Sequence, residues 1–354
     1  MKVYLKAYLR KNLGDDLFLE IITNRYPNTT FYGWGLGKYD NKQYLNLKIK
    51  SGYRYIILNK LLEHITKGNK NLDSFYMKKY DKAILLGGSM FIQNNDYIYP
   101  MFHKSVLKGK DYYILGVNFG PYKTESYKES VKEFISQAKD VCFREKSSYE
   151  LFKEFKNTRY SSDIVYSLNT DNVQIKNEKK VVISVVDCNK KFGKEKTKIY
   201  EEKIIELIRY FIKSKYEVVL MSFCKFQGDE IAVKRILKKC SIDEKKYIEK
   251  YYYRGNTKEA LNVIANSEIV VGTRFHANVI GLLLGKTIIP IAYNNKTINM
   301  LNDIGFAGKK AEICNIEKFN PEELTYEQLN YKINVEKQKL KSNEHFKELD
   351  KILK

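Results

Sequence analysis

The sequence lacks a long apolar run and any recognisable secretion signal. No stretch approaches the ~20 apolar residues that a membrane-spanning helix needs. The first residues, MKVYL, are typical of a strand and lack the long apolar segment and the small-residue cleavage site of a signal peptide. We therefore expect a protein that stays in the cytoplasm.

Cysteine and histidine are also scarce. The five cysteines show no metal-ligand spacing, so we expect reduced and mostly buried thiols. The four histidines are His64, His103, His276 and His345, and no two of them lie at helical spacing. A zinc site built by the protein is therefore not expected.

Arginine is rare although the chain is strongly basic. The net charge is +21, and of 63 basic residues nine are Arg, which leaves 54 Lys (63 − 9) spread along the whole chain. Nucleic-acid readers depend on Arg for bidentate contacts with bases and phosphates. Dispersed Lys is more simply a solvated surface, so we expect no nucleic-acid partner, whereas peripheral contact with an anionic membrane stays open.

Strand-like and helix-like segments alternate, which indicates an α/β protein with parallel sheets. At 354 residues the chain exceeds the usual size of one core, so two domains are expected. A polar stretch at 169–180 separates two such series. We predict an N-terminal α/β domain at 1–170, a C-terminal α/β domain at 178–315 and a helical tail at 320–354, either solvated or packed back on the first domain. Predicted strands include 2–8, 54–58, 82–86, 112–117, 140–143, 181–186, 217–222, 248–252, 268–272 and 287–292.

Two such domains joined by one polar linker predict a cleft, with ligands at the carboxyl ends of the strands. The strongest local signal lies there, where the apolar strand ending at Gly272 is followed by Thr-Arg-Phe-His. Arg274 and His276 would sit beside a helix N-terminus, where anions are favoured. Arg offers a fork for carboxylate or phosphate and His a proton carrier. The alternative is a helix cap with a salt bridge and a packed His.

Two further basic residues follow predicted strands. Lys296 follows the strand at 287–292 and would lie beside His276 if the two strands are neighbours, although it could equally be one more surface lysine. Arg144 follows the strand at 140–143 and precedes a helix with a predicted capping box from Ser147 to Glu150. It could be a second anion ligand, or it could form an ion pair with a carboxylate such as Glu145.

Glycine turns end three strands of the first domain, and none is a Walker loop or a dinucleotide fingerprint. Together they suggest a ligand close to the backbone. In the second domain, Asp229 would open a helix and suit its dipole, or touch an acceptor. The turn residues that we predict to line the cleft are Asn12, Gly14, Asp15, Gly88, Ser89 and Asn118.

The order of these motifs resembles the polysaccharide pyruvyl transferase family over about residues 1–306. Five blocks carry the resemblance, and the last is the most specific: NLGDD at 12–16, LGGS at 86–89, GVNFGP at 116–121, FRE at 143–145 with SDIV at 162–165, and TRFH at 273–276 with IAYNNK at 291–296. Asp16 and Asn118 depart from residues common in the family, which puts the acceptor pocket in doubt.

The resemblance implies a GT-B-like fold of two Rossmann-like domains facing a cleft, in which phosphoenolpyruvate serves as donor substrate and no cofactor or metal is needed. The pyruvyl group would be moved onto a sugar of a cell-surface polysaccharide precursor as a ketal, with release of phosphate. The family's donor-handling residues match Arg144, His276 and Lys296. Arg274 joins them from its position, with His276 as the catalytic residue and the others binding the donor. The sugar acceptor could be lipid-linked.

Two other functions remain open at this stage. One is a GT-B-like glycosyltransferase that uses a nucleotide sugar, although no acidic ribose clamp follows a glycine turn in the second domain. The other is a catalytically silent binding protein of the same fold.

Overall fold

The computed structural model describes residues 1–35, 43–66, 72, 79–93, 109–329 and 331–354. The chain forms two compact units, each built on its own parallel sheet. Unit 1 comprises Met1–Arg10, Asp15–Ser167 and Lys339–Lys354, and unit 2 comprises Lys11–Gly14 and Leu168–Gln338.

The sheet of unit 1 has the strand order β3-β2-β1-β4-β5-β6-β7. Buried parallel strands are near-continuous apolar runs, and β5 is buried at all of its six positions. The strands are β1 Lys2–Lys6, β2 Thr30–Gly35, β3 Leu47–Ser51, β4 Lys82–Leu86, β5 Tyr112–Val117, β6 Asp140–Phe143 and β7 Thr158–Tyr160. The helices are α1 Leu13–Arg25, whose first two residues belong to unit 2, α2 Tyr53–Ile65, α3 Glu125–Ser136 and α4 Lys146–Glu150.

The sheet of unit 2 has the order β10-β9-β8-β11-β12-β13. Its strands are β8 Glu178–Ser184, β9 Glu217–Ser222, β10 Ile248–Tyr252, β11 Ser267–Gly272, β12 Thr287–Ala292 and β13 Ala311–Glu312. Its helices are α5 Asn189–Lys213, α6 Asp229–Lys239, α7 Ile242–Lys245, α8 Thr257–Ala265, α9 Phe275–Leu283, α10 Asn295–Asp303, α11 Pro321–Leu329 and, running into unit 1, α12 Glu336–Ser342.

Each sheet has one point at which the strand order reverses, and ligands of open α/β sheets bind at the carboxyl edge near such a point. The reversal lies between β1 and β4 in unit 1 and between β8 and β11 in unit 2. The first residues after β4 and β11 are therefore placed where a ligand is expected.

The predicted tail at 320–354 is divided between the units, because Lys339–Lys354 belong to unit 1 and Pro321–Leu329 to unit 2. Asp350, in α13 Lys347–Leu353, accepts hydrogen bonds from Arg25 Nε at 2.9 Å and from Tyr26 Oη at 2.8 Å. The ring of His345 is fully buried, and its Nε2 lies 2.7 Å from the carbonyl oxygen of Ser162. The segment is thus held at both of its ends.

Most predicted strands are confirmed, and those at 82–86, 112–117, 140–143, 217–222, 248–252 and 287–292 have the predicted bounds. The strand predicted at 54–58 is wrong, because these residues lie in α2, which follows Gly52. The alternating aromatic and apolar residues there are typical of strands, but apolar residues continue at helical spacing to Ile65. The capping box at Ser147 is also wrong, because α4 begins at Lys146 with Glu145 as its N-cap residue.

Within the described residues, none of the helices combines the length and the apolar character needed to cross a bilayer.

Candidate active site

Unit 2 places Arg274 directly after β11, beside the reversal of its strand order. The backbone N–H groups of Thr273 and Arg274 both donate to Ser184 Oγ, at 3.0 and 3.2 Å, so the end of β8 fixes the turn. Arg274 is the N-cap residue of α9. The turn therefore carries a cation at the positive end of a helix, a combination suited to anions.

The guanidinium of Arg274 is oriented by Asp229, the first residue of α6. Arg274 Nε donates to Asp229 Oδ2 at 3.0 Å, the NH2 group pairs with Oδ1, and the NH1 group donates to Gln227 Oε1. Asp229 is fully buried and also accepts the N–H groups of Phe223 and Cys224. Burial acts to lower the pKa of Arg274, but Asp229 outweighs it and the pKa is raised. These contacts use three of the five N–H donors, and two remain for a ligand.

His276 lies in the first turn of α9, against the first turn of α1. A Cβ atom at Gly14 would overlap the His276 ring at Nδ1, so only glycine leaves room for the ring in this position. The N–H of Gly14 donates to Asn12 Oδ1 at 3.2 Å, which fixes this turn. The motif at 12–16 therefore serves, in part, to seat the histidine.

Lys296 follows β12, the neighbour of β11, in the second position of α10. The pairing of these strands confirms the condition on which its predicted placement rested. Lys296 Nζ lies 5.8 Å from the centre of the Phe275 ring, and this ring meets His276 edge to face with 5.0 Å between the centres. Phe275 thus links the lysine to the histidine.

Four buried polar atoms at this edge of unit 2 have no hydrogen-bond partner within the described part of the chain. Buried polar atoms in folded proteins are nearly always bonded, so each such atom needs an explanation. They are Ser222 Oγ at the end of β9, Asn278 Oδ1 in α9, Asn294 Oδ1 before α10 and Thr297 Oγ1 within it. Hydroxyl and amide groups in this position can serve a polar ligand.

In unit 1, Arg144 follows β6 and its side chain is 2% exposed. NH1 pairs with Asp163 Oδ2 at 3.0 Å and NH2 donates to Asn118 Oδ1 at 2.7 Å. The ion-pair partner is therefore Asp163 and not Glu145, which accepts a hydrogen bond from Ser148 Oγ at 2.6 Å.

The glycine turns of unit 1 surround this guanidinium. A Cβ atom at Gly88 would overlap it, so glycine is required there for the same reason as at Gly14. Asn118 donates its N–H to the Gly88 carbonyl at 2.7 Å, and Ser89 Oγ lies 3.4 Å from Asn118 Oδ1. Asp15 lies near Gly87, the other residue of the Gly-Gly pair.

The predicted residues thus fall into two groups, one in each unit. Unit 1 brings together Asp15, Gly88, Ser89, Asn118 and Arg144, and unit 2 brings together Asn12, Gly14, Arg274, His276 and Lys296. Sequence reasoning did not assign the two carboxylates that orient the arginines. Asp163 was noted only within a motif, and Asp229 was interpreted as a helix-dipole residue. The scarcity of Arg was the available signal, since nearly every buried Arg needs a carboxylate.

Comparison with known proteins identifies the chain's relatives. A curated relative, the amylovoran biosynthesis protein AmsJ of Erwinia amylovora, is 23% identical over 267 residues, which is 67% of this chain. The chain spans 62% of the length of that relative.

Solved structures with the same fold include the UDP-GlcNAc 2-epimerase of Methanocaldococcus jannaschii, at a TM-score of 0.61 and 13% identity over 99% of this chain and 100% of the other. The Anabaena protein HepE, solved with UDP and glucose, has a TM-score of 0.54 at 10% identity over 99% of both chains. These identities establish the fold alone, and the predicted GT-B-like α/β class is confirmed.

The family model described as polysaccharide pyruvyl transferase matches residues 12–295, a span that includes every residue of both groups except Lys296, which follows its last residue. This match covers most of the chain, so the protein belongs to the polysaccharide pyruvyl transferase family.

Proposed function

We propose that this protein transfers the pyruvyl group of phosphoenolpyruvate to a sugar of a cell-surface polysaccharide precursor. One observation carries the proposal: two cations, Arg274 and Lys296, flank His276 at the carboxyl edge of one sheet. Phosphoenolpyruvate carries a phosphate and a carboxylate around one reactive carbon. Two cations and a proton carrier therefore match the donor in both charge and chemistry.

In this proposal Arg274 and Lys296 bind the two anionic groups of the donor. Arg274 is suited to the bidentate contact, because Asp229 fixes its plane and two N–H donors remain. Lys296 acts as a point charge. Arg144, which the family resemblance also assigns to donor handling, is bonded within unit 1 to Asp163 and Asn118 and is proposed to hold the turns of that unit.

The reaction then requires one addition and one displacement at C2 of the donor. His276 delivers a proton to the methylene carbon C3, and the first sugar hydroxyl adds to C2 and gives its proton to His276. The second hydroxyl attacks C2, the C2–O bond to phosphate breaks, and phosphate departs with the proton of that hydroxyl. The product is a cyclic ketal, and the fixed cations stabilise the negative charge that develops on phosphate. The scheme uses no cofactor and no metal.

The acceptor is proposed to be a sugar in lipid-linked, nucleotide-linked or polymeric form. Asp15, Gly88, Ser89 and Asn118 of unit 1 are proposed to line its site, and Asn12 and Gly14 of unit 2 are proposed to hold the turn beside His276. Their backbone and amide groups suit sugar hydroxyls, which both donate and accept hydrogen bonds.

The test is turnover with phosphoenolpyruvate. The purified protein is incubated with the donor and with a panel of nucleotide sugars, lipid-linked saccharides and polysaccharide, and both phosphate release and the mass of the acceptor are measured. We expect phosphate release that depends on an acceptor and yields a pyruvyl ketal. His276→Asn should lower the rate at least ~100-fold, the usual cost of losing general acid–base help. His64→Asn, at an exposed helix position, is the matched control.

Two outcomes would overturn the proposal. Hydrolysis or transfer from a nucleotide sugar, with no use of phosphoenolpyruvate, would identify a glycosyltransferase. Unchanged turnover in His276→Asn would remove the histidine from the chemistry.

A further inference from the structure

Helix α2 of unit 1 presents an apolar face to solvent. Ile57, Leu58, Leu61 and Ile65 are 64%, 54%, 52% and 68% exposed. Single exposed apolar residues are common on soluble proteins, but a contiguous group of large ones marks an interaction surface.

The four side chains lie on one side of the helix. At about 100° per residue, they fall within an arc of about 100°. The exposed residues Lys60 and His64 lie next to one border of this arc. The exposed side of the helix therefore carries an apolar stripe, whereas a surface helix normally turns such side chains toward the core.

The sequence around this face is more basic than the rest of the chain. Residues 48–79 contain eight Lys and Arg and two Asp and Glu, a net charge of +6, whereas 32 residues at the chain average of +21 over 354 would carry about +2. Lys48 and Lys50 are exposed on β3, the edge strand that precedes the helix. The helix with the exposed apolar stripe thus lies in a basic stretch of the sequence.

We infer that this face of α2 docks on the surface of an anionic lipid bilayer, with the four apolar side chains entering the interface and the lysines contacting the headgroups. Amphipathic helices bind membranes by this combination of buried apolar area and attraction to anionic lipid. The inference concerns where the protein works and does not depend on the proposed reaction.

A second copy of the chain fits this face less well. A symmetric contact would bring the exposed Lys60 side chains of both copies to the border of the same interface, and like charges oppose such an approach. Four side chains are also far fewer than the roughly 20–30 residues that each partner contributes to a standard interface. A bilayer supplies both an apolar layer and opposite charge.

The experiment is flotation of the full-length protein with vesicles of phosphatidylcholine that contain phosphatidylglycerol, alongside vesicles of phosphatidylcholine alone. We expect binding to the anionic vesicles that weakens but persists as salt is raised. The double variant Ile57→Ser/Leu61→Ser should partition at least about tenfold less, because two of the inserted side chains are removed. The control Ile242→Ser/Leu340→Ser changes two side chains that are 80% and 76% exposed elsewhere and should bind like the wild type.

A labelled variant provides a second readout that needs no loss of apolar surface. Cys314 is the exposed cysteine and the other four are buried. A Cys314→Ser protein with Leu61→Cys carries a polarity-sensitive fluorophore on α2, and one with Leu340→Cys carries it elsewhere. Anionic vesicles should shift the emission of the first label to the blue and leave the second unchanged.

Three results would overturn the inference. Equal binding by both double variants would mean that the dispersed lysines alone attract the protein. Absence of vesicle binding by the folded wild type would remove the membrane as partner. A concentration-dependent dimer without vesicle binding, abolished by Ile57→Ser/Leu61→Ser but not by the control, would assign the face to a second copy.

Discussion

Arg144 and Arg274 follow their strands in the same way, yet the two units give them different surroundings. Each is held by a buried carboxylate that the sequence places far from it, Asp163 in unit 1 and Asp229 in unit 2. The side chain of Arg144 is 2% exposed, whereas that of Arg274 is 17% exposed. The strand-end position predicts where an arginine lies, but the surrounding contacts decide how much of it can face a ligand.

The difference in exposure between the two arginines determines what each ion pair contributes to the protein. A sealed ion pair whose members also hold neighbouring turns contributes mainly to the integrity of its unit, because a partner left alone is an uncompensated buried charge. A pair in which one member keeps free donors can orient those donors toward a ligand. We therefore expect substitutions in the ion pair of unit 1 to lower mainly the free energy of unfolding. Those in the ion pair of unit 2 should mainly weaken the binding of phosphoenolpyruvate.

The largest expected effect is that of Asp163→Ala. The substitution leaves the buried guanidinium of Arg144 without its carboxylate and should lower the free energy of unfolding by about 3–5 kcal/mol in urea denaturation. The control Asp243→Ala breaks an ion pair with Lys246 in which the side chains are 85% and 66% exposed, and it should change stability by less than about 1 kcal/mol. Equal effects of the two substitutions would mean that the unit 1 pair is not structural.

The matched pair Arg144→Lys and Arg274→Lys separates the two roles. Lysine keeps the charge but loses the fork. At Arg274 the loss of ligand-facing donors should lower kcat/KM for phosphoenolpyruvate roughly 10–100-fold, since hydrogen bonds to charged groups contribute about 1.5–3 kcal/mol. At Arg144 a single ammonium group cannot bond both Asp163 and Asn118 as the guanidinium does. Arg144→Lys should therefore change the midpoint of urea unfolding more than it changes kcat/KM. The comparison fails if Arg274→Lys unfolds the protein more readily than Arg144→Lys.

The stability of unit 1 should depend on pH through His345. The Nε2 atom of this residue contacts the carbonyl oxygen of Ser162, which precedes Asp163. Burial, assisted by Arg159 and Arg144, lowers the pKa of His345 to about 3, although its bond to Ser162 opposes the shift. Below the unfolded pKa of about 6.5 the unfolded chain takes up a proton that the folded chain refuses, so stability is lost as pH falls. Between pH 7 and pH 5 the wild type should lose about 2 kcal/mol more than His345→Gln does.

That prediction is checked by urea unfolding of both proteins at the two pH values. Parallel losses would mean that His345 takes up its proton in the folded protein as readily as in the unfolded one, and that the C-terminal segment does not bury it.

The smallest expected effect is that of Gly14→Ala. The added methyl group overlaps the ring of His276, so the ring must move, and displacements of about 1 Å can cost up to 100-fold in rate. We expect a loss of at least about tenfold in turnover with little change in stability. The loss should vanish in a His276→Asn background, and an additive loss there would mean that Gly14 acts by another route.

Much of the fold could be predicted from the sequence because parallel strands are buried on both faces. The runs at 112–117 and 287–292 are almost wholly apolar and have sharp ends, so their bounds are confirmed to the residue. The run at 54–58 was misinterpreted because its alternation is local, whereas the helix depends on the longer spacing of residues 57 to 65. Local patterns predict an element well only when burial on both faces constrains it.

The site was predictable to the level of strand ends. Position placed Arg274 and His276 at a strand end that suits either a ligand or a helix cap, and it left Lys296 as one more surface lysine until the family resemblance singled out His276 and Lys296. Neither Asp229 nor the seating of His276 by Gly14 could be predicted, because both depend on contacts between elements distant in sequence. A glycine required by a ring more than 250 residues away leaves no local signal.

Phosphoenolpyruvate is proposed to bind at the carboxyl edge of unit 2 through Arg274 and Lys296. Calorimetric titration of the donor tests this binding without knowledge of the acceptor. We predict saturable binding by the wild type and by Lys245→Ala, an exposed-surface control, and binding at least about tenfold weaker in Lys296→Ala and Arg274→Lys. Undiminished affinity in both of these variants, or no binding by the folded wild type, would contradict the account.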